Sequence, residues 1–112
     1  MTSTFPAREQ AFEAKFAPDE EHRFLVKARR DKLFGAWAAD RLHLPENEKQ
    51  ALAGAVLKVL DGRGHDDALI ALIDKTLRDH GQIVPTNELG AALGRCFDEA
   101  EKQISGSPHF SG

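Results

Sequence analysis

Residues 19–44 read DEEHRFLVKARRDKLFGAWAADRLHL, and the spacing of apolar side chains along this stretch decides the fold class. Val26, Leu33, Trp37 and Leu44 recur at intervals of 7, 4 and 7 residues, which puts them on one stripe of a long helix from Asp19 to about Leu42. Phe24, Ala28 and Phe34 widen that stripe. Pro18 can take the first helical position, and Asp19, Glu20 and Glu21 supply negative charge where the helix dipole favours it. Gly35 beside Trp37 reads as core packing, a large ring next to a residue that lets another helix come close. Leu44-Pro45 marks the exit.

Downstream, three more helical patterns follow at short intervals. Pro45 opens a helix over about Glu46–Leu60, with Leu52, Ala55, Val56, Val59 and Leu60 on its apolar face. Asp61-Gly62-Arg63-Gly64 is a turn. The next helix, about Asp66–His80, carries Leu69, Ile70, Ile73, Thr76 and Leu77 and stops at Gly81. The last, about Thr86–Ile104, turns Leu89, Leu93, Cys96, Phe97, Ala100 and Ile104 inward. Residues 106–112 are expected to form a disordered Gly/Ser/Pro tail. Four amphipathic helices on short loops predict an all-α four-helix bundle over residues 18–105.

Upstream of Pro18 lies a separate arm, residues 1–17. Phe5, Phe12 and Phe16 fall at i, i+7 and i+11, one stripe of a helix, and Arg8, Glu9, Glu13 and Lys15 surround it. Pro18 removes a backbone donor and biases Ala17 away from helical dihedrals, so a break or kink is expected between arm and bundle. Burying three Phe side chains is worth roughly 5–9 kcal/mol. Ordering about a dozen backbone residues costs on the order of 12–18 kcal/mol. The arm is therefore expected to be mobile until a groove receives it, although on spacing alone its Phe stripe serves equally well as core.

Composition sets bounds on function. The 112 residues fit one domain, and 41% hydrophobic with 29% charged residues is an ordinary globular balance. A net charge of −3 weighs against a nucleic-acid binder, including a helix-turn-helix built around Gly81. The lone Cys96 forms no internal disulfide and reads as an inert core thiol. The N-terminus lacks a signal-peptide core and no apolar run spans a bilayer, so a cytoplasmic protein without membrane insertion is expected. Arg23, Lys27 and Arg30 share a helix face that reads as solvated and balanced by Asp31, Glu20 and Glu21, or else as a dock for an acidic partner or phosphates. The five histidines sit on separate elements without zinc spacing, so no metal is expected, and His65-Asp66-Asp67 reads as a helix cap. Gly62-Arg63-Gly64 lacks the Lys-Ser/Thr of a phosphate loop. No nucleophile–base pair stands out, so no enzyme is expected.

One resemblance covers about the first forty residues. Phe5-x-x-Arg8-Glu9-x-Ala11-x-Glu13-x-Lys15-Phe16-Ala17-x-Asp19-x-Glu21-x-x-Phe24, followed by Ala28-Arg29-Arg30-x-Lys32-Leu33-x-Gly35-x-Trp37-Ala38-Ala39, closely resembles the zeta subunit family, small inhibitory subunits of F-type ATP synthases in alphaproteobacteria. Past Leu44 the likeness weakens to a shared helical pattern. The resemblance implies a four-helix bundle with a mobile N-terminal inhibitory arm that inserts, as a helix, at a catalytic interface of the alpha and beta subunits near the gamma shaft. It implies peripheral attachment to the inner membrane through that head and no required cofactor. It also implies weak ADP or ATP binding on the bundle in some members. Carried over by position, the partner contacts fall on Phe5, Arg8, Glu9, Phe12, Lys15 and Phe16. The chain departs from the family pattern at Pro18 and at Leu60–Asp67, where many members carry a longer acidic stretch. A free-standing bundle that binds a small molecule such as an adenine nucleotide, without inhibition, is the alternative.

Overall fold

A computed structural model describes the backbone of residues 6–105 and the side chains of residues 20–105. The chain is all-helical over this range: α1 (Pro6–Leu42), α2 (Glu46–Leu57), α3 (His65–Asp79) and α4 (Thr86–Ser105), with no strand among the described residues. α1 is the spine; α4, α2 and α3 each pack on it, and α3 also touches α4. Phe34, Leu69, Ile73, Leu77 and Leu89 are at most 1% exposed and form the centre of the core, with Leu52 and Val56 closing it from α2.

The loops are short because each helix end is capped by its own backbone. At the end of α3, Gly81 takes φ +81°, its N–H donates to the Arg78 carbonyl at 2.9 Å, and the Gln82 N–H donates to the Leu77 carbonyl at 2.9 Å. This paired closure is the Schellman arrangement, which glycine adopts without a steric penalty. α1 ends the same way with a less suitable residue. His43 sits at φ +54°, the His43 N–H meets the Asp40 carbonyl at 3.1 Å, and the Leu44 N–H meets the Ala39 carbonyl at 3.0 Å. Pro45 and Pro85 then open α2 and α4, each carbonyl accepting two N–H groups of the following turn.

Two expectations about α1 are corrected. The helix does not end at Ala17: Pro18 lies inside one element running from Pro6 to Leu42. Proline's fixed φ is itself helical, so Pro18 removes one hydrogen bond and crowds the preceding turn without dictating a boundary. The buried seam also differs, following Val26, Arg30, Phe34 and Ala38 at intervals of four. Phe24 is 63% exposed, Ala28 is exposed and Leu33 is half-buried. Trp37 lies at the edge of the seam, its ring stacked with Phe34 at 5.7 Å and with the Arg41 guanidinium 5.5 Å from its centroid. Gly35 has the expected role, since a Cβ there would lie 3.1 Å from Val56 Cγ2 where α1 and α2 cross.

α2 is shorter than its pattern suggests, ending at Leu57 with Lys58 as its cap. The Lys58 and Val59 N–H groups bond to Ala55 and Val56, which tightens the last turn and releases the chain. Leu60, expected on the apolar face, is left 84% exposed. Phe97 of α4, also expected inward, is 43% exposed, and Ala92 takes a buried position instead.

Candidate functional site

Arg30 and Asp31 place a charged cluster at the contact between α1 and the start of α3. Arg30 donates from Nε to Asp31 Oδ1 at 2.9 Å and through Nη1 and Nη2 to both oxygens of Asp66, at 3.3 and 2.7 Å. Asp31 Oδ2 lies 2.6 Å from His65 Nε2, and His65 Nδ1 lies 2.8 Å from the Leu60 carbonyl oxygen. Arg30, Asp31 and His65 are all buried, whereas the Asp66 side chain is 52% exposed. Hydrogen bonding to Arg30 holds the Asp66 carboxyl below the usual aspartate range. Burial works against the Arg30 charge, but its bonds to Asp66 and Asp31 outweigh that and raise its pKa.

Local sequence explains the assembly. Gly64 at φ +84° turns the chain into α3, so that His65 and Asp66 begin the helix facing α1. Asp66 and Asp67 then sit in the first turn, where negative charge is favoured. The Leu60 carbonyl is free to meet His65 because α2 has already stopped. Each side chain of the cluster has a polar partner, and together these bonds tie α1 to the start of α3.

Beside this cluster the surface opens. A cleft of about 170 Å³ is lined by Phe24, Lys27 and Asp31 of α1, by Val59 and Asp61 beyond α2, and by His65 of α3. Across Ala28, Val56 and Leu57 a second groove of about 300 Å³ continues between Leu25, Arg29 and Lys32 of α1, Ala53 of α2 and Ile104 of α4. His22 to Glu101 at 3.2 Å and Arg29 to Gln103 at 2.8 Å hold this part of α1 against the end of α4.

The residues singled out from sequence are not brought into view together. Arg8, Glu9, Phe12, Lys15 and Phe16 fall within α1, but their side chains, like Phe5 as a whole, lie outside the described residues. Arg30, expected on a solvated face, is instead buried with two carboxylates, because an internal ion pair inverts the usual link between charge and exposure. His65, expected as a cap, is a buried partner of Asp31. The i+35 spacing from Arg30-Asp31 to His65-Asp66 carries no periodic signal, so only the unusual density of unlike charges hinted at the cluster. Cys96 is half-buried beside the core, and burial pushes its thiol pKa up, as suits an unreactive thiol. Among the described residues no group of three metal-ligating side chains occurs, and no helix is long and apolar enough to cross a membrane.

A family model described as ATPase inhibitor subunit zeta matches residues 1–103, nearly the whole chain. No curated protein and no solved structure matches it significantly.

Proposed function

This chain belongs to the ATPase inhibitor subunit zeta family, and on that premise we propose that it restrains ATP hydrolysis by an F-type ATP synthase through its N-terminal arm. In this reading residues 1–17 insert at a catalytic interface between an alpha and a beta subunit, beside the gamma shaft, and the bundle stays outside. Phe5, Phe12 and Phe16 fill apolar pockets there, while Arg8, Glu9 and Lys15 pair with charged groups of the cleft. The protein acts by occupying a site, with no chemistry of its own and no bound cofactor. Its place is the cytoplasmic face of the inner membrane, reached through the enzyme head.

The observation that carries this reading is the continuity of α1. At 3.6 residues per turn, five turns take 18 residues. Positions 12 and 16 of the sequence therefore repeat, on the same azimuth, positions 30 and 34, the face that α1 buries against the bundle. α1 extends well upstream of the residues that α4 reaches at His22. Positions 12 and 16 thus carry the register of the seam that the bundle covers further along. A helical stretch of this length is marginal in water without a packing surface, so a receiving groove supplies the missing half of the contact.

The test is ATP hydrolysis by the isolated head. The full chain is expected to lower the rate in a saturable manner, and a chain lacking residues 1–17 to leave it unchanged. Equal inhibition by both would remove the arm from the mechanism.

One feature favours the alternative of a bundle that binds a small molecule. The cleft beside Phe24 offers an exposed aromatic face, and Lys27 offers a cation within reach of a phosphate. Asp31 and Asp61, which line the same cleft, oppose an anion. Amide shifts clustered on Phe24, Lys27 and His65 during an ADP titration, with no inhibition of the head, would favour that reading.

A further inference from the structure

We propose that the groove between α1 and the end of α2 is a second docking surface, and that it takes an amphipathic helix with an acidic flank from the same ATPase head. The inference rests on the reading above and adds to it a site on the bundle itself.

The groove exists because α2 is too short to cover its neighbour. α2 stops at Leu57, so the next turns of α1 towards the N-terminus lose their partner on that side. Phe24, Leu25 and Leu57 are left 63%, 44% and 80% exposed within one contiguous patch, and Leu60 adjoins it at 84%. Isolated exposed leucines are ordinary on a protein surface, but a grouped set around a concave opening marks an interaction site. The small side chains of Ala28 and Ala53 keep the opening deep enough for an apolar anchor.

Charge selects the occupant. Lys32 and Arg29 line the groove from α1, and Lys27 lines the adjoining cleft. None of the three forms an ion pair among the described residues; Arg29 donates only to the neutral amide of Gln103. On α3, by contrast, Lys75 and Arg78 are neutralised by Asp79 and Asp74. An apolar trough with an unmatched basic edge suits a helix that is apolar on one face and acidic beside it. Continuity along α1 points to the source. Phe16 and Phe24 are eight residues apart, about 12 Å along one helix, so a body that grips the arm also reaches the groove.

The experiment is binding of the full chain to the isolated head, comparing wild type, L25Q/L57Q and K32E. Glutamine keeps the helix propensity of leucine, and thermal melts check that the bundle is intact. L25Q/L57Q is expected to lose at least tenfold in affinity with an unchanged melt. K32E is expected to lose about threefold at low salt and nothing at 0.5 M salt, where exposed charges are screened. Undiminished affinity of L25Q/L57Q, with wild type bound, would overturn the groove and leave the arm standing. A wild-type chain that does not bind the head would overturn the function itself and this inference with it. A wild-type dimer that L25Q/L57Q dissolves would assign the groove to a second copy and overturn the proposal.

Discussion

Replacing Arg30 by Met keeps the aliphatic stem packed and removes only the guanidinium. The Arg30 and Asp31 side chains are 10% and 12% exposed, so the change leaves a nearly buried carboxylate with His65 as its remaining hydrogen-bond partner. Breaking a buried pair in this way costs about 3–5 kcal/mol. Asp66 is half in water and rehydrates when released, which returns part of that cost. The expected net loss is about 2–4 kcal/mol, with Tm falling by more than about 10 °C in a domain of this size. Urea unfolding followed by far-UV circular dichroism at pH 7 measures it, and an unchanged m value would show that the unfolded state is not the cause. D66N should cost far less than R30M, about 1 kcal/mol or below, because its carboxylate is the exposed member. A loss under about 1 kcal/mol for R30M is what a surface residue gives, and would refute the claim that this cluster locks α1 to α3.

Other expectations follow from the same geometry. His43→Gly should stabilise the chain by roughly 0.5–1 kcal/mol in the same urea assay, because glycine adopts the left-handed end of α1 without the Cβ penalty. The Asp66 carboxyl is depressed in the folded state, so its contribution is fully present above the ordinary aspartate pKa, roughly 3.9, and is lost as pH falls through the lower folded value. Melts between pH 2 and 6 should therefore show a steeper acid loss for wild type than for D66N, and parallel curves would argue against it.

Much of the bundle is legible in the residues, and the reasons are local. Gly81 and Pro85 punctuate the chain so clearly that α3 and α4 fall within a residue of their expected bounds. Leu69, Ile73 and Leu77 repeat at intervals of four along α3, and Ile70 and Leu72 flank them against the core, so one face is marked for burial. α1 is harder to read because it buries a charge. Hydrophobic spacing passed over Arg30 and moved the stripe to Leu33, whereas the true seam runs through Arg30 to Phe34. The end of α2 is likewise a tertiary outcome: Val59 and Leu60 continue its apolar pattern, yet the Leu60 carbonyl is taken by His65. The proposed partner contacts at Phe5, Arg8, Glu9, Phe12, Lys15 and Phe16 rest on the sequence alone, because their side chains lie outside the described residues.

Amide hydrogen exchange over residues 6–17, in the free chain and in the presence of excess isolated ATPase head, puts the arm to the most direct trial. These amides are expected to gain at least tenfold in protection on binding, with the amides of α3 unchanged. Equal exchange in both states, with the chain demonstrably bound, would contradict it.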